Sequence, residues 1–523
     1  MRPPLWHPPI ALSTAEQAIL RRIRRAKLLV LLRQHRHTLF GDPFQEELAT
    51  LYKDQPQGHP PVPPAQLALA TLLQAYTGVS DDEVIEVTIM DRRWQLVLDC
   101  LDCDTPPFSK GTLVSFRHRL LAQQMDRRLV ERTLEVAAAS GGFGPRQLRA
   151  ALDSSPLWGA GRVEDTYNLL GHALRKAVGV IARQQGRALP EVAAAAGAPL
   201  VAGSSLKAAL DMDGDDPRAQ QHALTLVLDA LTAVEDWLTT PGAHLEDTSK
   251  VAASMAVAQQ GREQDVITAP AGCPTLRHGV AEDRRISVED AEMRHGRKSR
   301  SLLVDGYKRH VLRDLDSGLI VAVGVTPANA PEANVTDAIE TDLAAQQSTL
   351  KEWHIDRAYL ARKLVQQRGE DRAIFCKAWP VRPGPHCPKS AFHLDWERHI
   401  LRCPGGECMP FEAGGVVQFP AAICAGCALR ERCTTSPSGR RVRIHPDEAL
   451  VQELRERQQT PQGRAKLRER VAVEHALAHI GHWQGRRARY CGVRKNVFDL
   501  RRCAVVHNLH VLARLPETAQ QAA

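Results

Sequence analysis

The chain has 523 residues, 43% hydrophobic and 24% charged, with a formal net charge of +8. That composition is globular and excludes a disordered or fibrous chain, and the length suggests about three or four domains of ~150 residues. No run approaches the ~18 apolar residues that span a bilayer, and MRPPLWHPPIALSTAEQ at the start has no apolar segment of signal-peptide length, so the expectation is a cytoplasmic protein with no membrane contact.

The charge is unevenly spread. Residues 462–502 hold eleven Lys/Arg and three Asp/Glu, residues 292–313 hold seven and two, and residues 21–36 hold seven basic residues and no acid. Any one such run is more often a solvated helix face. Three of them, interleaved with Tyr307, Trp483 and Tyr490, predict contact with a polyanion, nucleic acid first. Seven of the twelve cysteines fall within residues 376–433, which points to a metal site rather than a disulfide framework.

In chain order, helices are predicted over 12–37 and 65–140, the second behind PPVPP, whose prolines suit a helix start. GGFGP at 141–145 is a break, and Gln147–Asp153 reads as a short strand ending in an acid. Residues 166–260 are Ala/Leu-rich and predict a helical insertion, closed by PAGCP at 270–274. From about 286 the period changes. Residues 301–304, 308–312 and 319–323 read as strands separated by Asp-Gly and Asp-Ser-Gly turns, a β-meander. A helix at about 332–347 leads to a strand over 351–356 ending in Asp356. Residues 376–445 are rich in Cys, Pro and Gly, and helices over 446–480 and 497–514 follow.

Three acids stand at element ends. Asp153 and Asp356 follow strands, and Glu474 borders the stripe Val473, Ala476, Leu477, Ile480, one turn from Arg470. Carboxylates gathered at strand ends can hold two Mg²⁺ or Mn²⁺ ions roughly 3.5–4 Å apart, the arrangement that cleaves phosphodiesters. The plainer alternative is a pair between Glu474 and Arg470 at i, i−4, worth about 0.3–0.5 kcal/mol.

Cys424-x₂-Cys427 followed by Cys433 has zinc-ligand spacing, with Cys403 as fourth ligand ahead of Cys408. Such an ion would be structural, since four thiolates leave no open position. The alternative is reduced thiols in a small apolar cluster. Cys100 and Cys103, with no second pair nearby, read as core. His475, His479 and His482 lack the H-E-x-x-H order of zinc proteases and read as helix-surface or DNA-side residues.

Taken together the pattern resembles the DDE transposases of bacterial insertion sequences. The residues that carry it are PPVPPAQLALATLLQAYTGVSDDE with DRRWQLVLDC and PPFSKGTLVSFRHRL near the start, Asp153-Ser154-Ser155-Pro156, and Val163-Glu164-Asp165-Thr166. Further on come Gly306-Tyr307-Lys308-Arg309-His310, Val325–Asn329 with Glu332, Asp356-Arg357-Ala358-Tyr359, Arg470-x₃-Glu474, and the basic RRARYCGVRKNVFDLRR. Two positions depart from the family: Leu467 stands where a tyrosine is frequent, and Gly481 where a basic residue is. Gln484 and Arg486 are the nearest replacements for the phosphate contact.

The resemblance implies an α/β fold with a ribonuclease H-like mixed sheet flanked by helices. The core would be assembled from 146–165, 282–375 and 446–515. Around it are expected an N-terminal all-α DNA-binding domain (1–145), a helical insertion (166–281), a zinc-ribbon-like Cys-rich insertion (376–445) and a disordered tail (516–523). It implies that Asp153, Asp356 and Glu474 hold two Mg²⁺ or Mn²⁺ ions. DNA phosphates would be met by Tyr307, Lys308, His310, Arg470, Arg486, Arg487, Arg489 and Lys495. The expected activity is cleavage and strand transfer at an element's inverted terminal repeats by a homodimer associated with the nucleoid. A two-metal nuclease without strand transfer and an inactive DNA-binding descendant are the alternatives.

Overall fold

The computed structural model describes residues 2–54, 59–139, 147–203, 205–210, 216–243, 245–270, 272–299, 301–360, 368, 372–380 and 384–514. The predicted GGFGP break and C-terminal tail lie outside them. Among the described residues no helix is long and apolar enough to cross a membrane.

The first region is a run of helices from Thr14–Arg22 to Asp126–Ala139. Helices Thr14–Arg22 and Asp81–Met90 begin on reciprocal caps, Ser13 with Glu16 and Ser80 with Glu83, which satisfy free N–H groups at both. Helix Pro64–Thr77 carries Pro64 in its first turn, where the missing N–H costs nothing, and stops at Gly78, left-handed at φ 80°. It is buried on every side from Pro64 to Ala75, because its neighbours include the long last helix, Val493–Leu512. The basic run at 21–36 is partly structural. Arg33 and Arg36 are buried, Arg33 on Glu16 at 2.5 Å and Arg36 on the Leu96 and Val97 carbonyls and on Asp99.

The centre is a mixed sheet of six strands: β1 (Gln147–Trp158), β2 (Arg294–Arg297), β3 (Leu303–Asp314), β4 (Ile320–Pro327), β5 (Thr349–His354) and β6 (Ala373–Phe375). Their order is β2-β3-β1-β5-β6, with β4 also on β3. β1 meets β3 antiparallel and β5 parallel, and β6 continues the parallel side. The expected Asp-Gly turn at 305–306 is absent, and β3 runs straight through it. Gly306, at φ 152°, lies so close to β1 that a Cβ would stand 2.2 Å from the Gly159 nitrogen, so this glycine serves close approach rather than chain reversal. The expected turn at 316–318 forms, with the Ser317 N–H bonded to Asp314 and Gly318 at φ 78°.

Side chains alternate across the sheet. Ala151, Leu157, Tyr307 and Val311 face the N-terminal helices and helix Val471–Gln484. Ala150, Leu152, Leu312 and Trp353 face helices Thr336–Ala345 and Glu448–Gln459. The helices of 166–265 enclose a separate core around Leu174, Ile181 and Leu231, and the Cys-rich segment folds around Phe392, Leu401, Phe419 and Ile444. The helix predicted over 446–480 is three, Glu448–Gln459, Pro461–Glu469 and Val471–Gln484. The first break falls at Pro461, whose ring cannot continue the preceding helix.

Candidate active site

β1 does not end at Asp153. Its antiparallel ladder with β3 runs on to Trp158, whereas its parallel ladder with β5 stops at Ala151 opposite His354. Asp153 and Asp356 therefore each stand two residues past the last parallel pair, at the mouth where β5 leaves β1. Asp356 caps the single turn Arg357–Tyr359, accepting the Ala358 N–H at 3.1 Å.

Asp153 is buried. One oxygen accepts the Ser154 N–H at 2.8 Å and the other accepts Arg470 Nη1 at 2.6 Å. Arg470 also reaches Glu474 at 3.2 Å, since residues four apart on a helix share a face. The guanidinium thus stands between the first and third acids. Burial pushes the Asp153 carboxyl up from its ordinary value, Arg470, the Ser154 N–H and Lys298 pull it back, and the negative charge of Glu332 adds to the push. The Tyr359 phenol, buried at the same mouth, is driven up by burial and then by Glu332, Asp153 and Asp356. The buried Cys376 thiol, pushed up to about 12 chiefly by burial, responds to both Asp356 and Arg470. Asp153 and Asp356 thus stand past the same end of the parallel ladder, with Glu474 joined to Asp153 through Arg470.

Glu332 is an acid that the three-carboxylate reading left out. It is buried, accepts the Ser154 hydroxyl at 2.9 Å, and takes Lys298 Nζ at 3.0 Å. The Pro331-Glu332 step at a strand-to-helix junction was the available signal.

Directly behind the mouth lies a second group. Glu352, His354 and Glu469 bring ligand atoms within 4.8 Å of one another, and among the described residues no other such group of three or more does so. Cations already occupy it. Arg149, the β1 register partner of Glu352, bonds Glu352 at 2.9 Å and also bonds Glu469, and Lys466 reaches Glu352 at 3.0 Å. Burial would raise Glu352, but these bonds and that of His354 outweigh it and bring the carboxyl down to about 2.

The predicted DNA contacts divide sharply. Tyr307, Lys308 and His310 are buried, a correction that follows from both faces of β3 being covered. Tyr307 donates to Asp290 at 2.5 Å, Lys308 to the Ala330 carbonyl at 2.9 Å, and His310 sits between Tyr359 and Thr326, held neutral with its pKa lowered to about 3 by burial. Gln484 is buried on Arg309 as well. That arginine accounts for Gly481: a Cβ there would lie 3.1 Å from Arg309 Nη2, so a guanidinium from β3 takes the space beside the position where a basic side chain was expected. Arg486, Arg487, Arg489 and Lys495 are exposed. Their loop is pinned to the end of β1, with the Trp158 N–H on the Arg486 carbonyl at 2.9 Å and the Ala488 N–H on the Trp158 carbonyl at 2.6 Å.

In the Cys-rich segment the Cys427 and Cys403 sulfurs flank Gly405, 3.0 and 3.6 Å from where its Cβ would be. Backbone N–H groups point at two sulfurs, Leu429 at Cys427 (3.4 Å) and Arg440 at Cys424 (3.5 Å). Burial raises the Cys433 thiol, and Cys387, Cys424 and Cys403 add to the rise. Cys387 is thus a fifth thiol in the group that spacing alone did not reveal, while Cys408 is exposed.

A family model described as a transposase DDE domain matches residues 403–513, and one described as a transposase domain (DUF772) matches residues 19–119. No curated protein and no solved structure matches the chain.

Proposed function

We propose that this chain, whose two matched segments support a DDE-type transposase of an insertion element, cuts and joins DNA at the ends of such an element, with Asp153, Asp356 and Glu474 as ligands of two Mg²⁺ or Mn²⁺ ions. The observation that carries this is the shared register of Asp153 and Asp356 beyond the opening of the parallel ladder, with Glu474 joined to Asp153 through Arg470. The strand order, antiparallel on one side of β1 and parallel on the other, supports a ribonuclease H-like core.

The donor set fits hard divalent ions. It consists of carboxylate oxygens, and the Asp153 carboxyl is left under-compensated by its neighbours. When bound, such a pair supplies an activated nucleophile and neutralises charge at the phosphate. The chain's own residues do the rest. Arg470 keeps Asp153 and Glu474 aligned and can turn toward a phosphate oxygen, a geometry its planar fork suits. Arg486, Arg489 and Lys495 hold the strand next to the mouth by salt-dependent phosphate contact, while Arg487, bonded to the Gly159 and Ala160 carbonyls, holds their loop on β1. Two ends must meet, so a homodimer is the working assembly. The thiols of Cys403, Cys424, Cys427 and Cys433 would hold a structural zinc ion only after drawing closer, since among the described residues no three of them bring their sulfurs within 4.8 Å of one another. Chelation followed by a metal assay of the intact protein tests that site.

The deciding experiment uses the full chain, Mg²⁺ and a duplex carrying the DNA that flanks its coding region. Asp356→Asn should lose cleavage and joining while retaining the mobility shift. Unchanged activity would show a protein whose role is binding, and cleavage without joined product would reduce the reading to a nuclease.

A further inference from the structure

On the flank of helix Val471–Gln484 is a pocket of about 240 Å³ lined by His475, His479, His507, His510, Arg313 and Arg514, with no carboxylate in its wall. Four histidines and two arginines without an acid is an unusual lining for a protein with sixty Asp and Glu.

The charged groups facing it come from three elements and from Arg514 beyond the last of them. Arg313, on β3, donates to the Ala472 carbonyl at 2.7 Å and the Gly318 carbonyl at 3.2 Å, which fixes its guanidinium at the pocket wall with only neutral acceptors. Arg514, just past the last helix, is exposed and has no ion pair among the described residues. His507 is 5% exposed, and its Nε2 lies 3.1 Å from the Gly318 carbonyl. A carbonyl only accepts, so Nε2 carries the proton and Nδ1 is left buried with no partner. His510 stacks on Trp483 at 5.3 Å and packs against Tyr76 of helix Pro64–Thr77, and its Nε2 is likewise buried and unpartnered. His479 stands 5.7 Å from the His507 ring, and His475 completes the rim.

Unpartnered buried ring nitrogens among guanidiniums call for a ligand. A divalent cation would face two fixed positive charges, whereas an anion is drawn by both. We propose that this pocket binds a phosphate group and takes up a proton on His479 or His510 as it does so. The proposal does not rest on the catalytic reading, since none of the three acids lines the pocket. Burial and Arg514 hold His510 down at about 4, and burial with Arg514 and Arg313 lowers His479, so these two rings are disposed to stay neutral in the free pocket and to charge when the phosphate arrives. Affinity then falls as pH rises through the complex's raised histidine pKa.

The test is calorimetric titration of the full chain with inorganic phosphate, in chelator and without Mg²⁺. Between about pH 7.5 and about pH 6, affinity should rise about 10-fold with measurable proton uptake. The double variant His479→Gln with Arg514→Ala, both exposed and so neutral to folding, should lose the binding. Arg514→Lys should recover part of it. Competition by a short duplex without element ends assigns the site to the DNA backbone. Competition by a nucleoside monophosphate alone assigns it to a free phosphate ester, and either result upholds the pocket. Affinity that is independent of pH, or equal in the double variant, overturns it, as does tight Zn²⁺ binding that phosphate does not oppose.

Discussion

Two acidic clusters lie along the same pair of strands, and they are charged in opposite ways. Behind the mouth, Glu352 and Glu469 are met by Arg149 and Lys466, and Glu352 falls to about 2. At the mouth, Asp153, Glu474 and Glu332 are met by Arg470 and Lys298, with Asp356 adjacent, and Asp153 is pushed up instead. Ligand spacing alone would choose the first cluster as the metal site. Charge balance chooses the second, because a cluster whose acids outnumber its cations has capacity for more positive charge, and a neutralised one has none.

The largest test of that contrast is Asp153→Asn. It should reduce Mg²⁺-dependent DNA cleavage by about 10³-fold or more, as expected for loss of a ligand in a two-metal site. Its thermal midpoint should stay level or rise, because a buried acid with a raised pKa costs stability at neutral pH. A lower midpoint would mean that Asp153 is structural. The complementary variant, Arg149→Ala, should cost about 1 kcal/mol by leaving Lys466 as the only Lys or Arg on Glu352 and Glu469 among the described residues, read as an earlier urea midpoint at neutral pH, with cleavage per folded molecule retained. Its pH sign is fixed. Glu352 has a lowered folded pKa, so its stabilisation is complete above the ordinary glutamate range and is lost as pH falls toward about 2. The gap between wild type and variant should close in acid.

Much of this was legible in the residues. Asp356 and the Arg470–Glu474 pair follow from a strand-like run that ends near an acid and from a four-residue helical spacing, whereas the strand read as ending at Asp153 runs on to Trp158. The strand over 308–312 and the turn at 316–318 were equally readable. Gly306 was not, since Asp-Gly reads as a hairpin, and only contact with β1 shows why glycine is needed inside a strand. Tyr307, Lys308 and His310 looked like a basic surface because the sequence does not tell that β3 is covered on both faces. Glu332, named beside Val325–Asn329 but not as a site acid, and Cys387 went unassigned for a related reason. Their partners, Ser154 with Lys298 and Cys433 with Cys424, lie far away in the chain.

A smaller effect sharpens the role of the cation at the mouth. Arg470→Gln removes the charge that lowers the Asp153 carboxyl. The acidic limb of the cleavage profile should therefore move to higher pH while the plateau falls several-fold. If the limb stays in place, Arg470 acts on Glu474 or the DNA and not on Asp153. Arg470→Lys, which keeps the charge but not the fork, should restore the limb without restoring the plateau.

The smallest effect compares two neighbouring arginines of the basic loop. Arg487 gives its guanidinium to the Gly159 and Ala160 carbonyls at 3.1 Å each. Arg486 is exposed, and only its carbonyl is tied to Trp158. A side chain free to meet a phosphate releases a counterion on binding, and one spent on carbonyls does not. Arg486→Ala should therefore lower the slope of log affinity against log salt by about 1, measured by fluorescence anisotropy on a labelled duplex. Arg487→Ala should leave the slope nearly unchanged and instead loosen the loop's hold on β1. Equal slopes for the two variants would mean that the ordering of committed and free cations, on which the contrast between the clusters also depends, does not predict how this protein meets DNA.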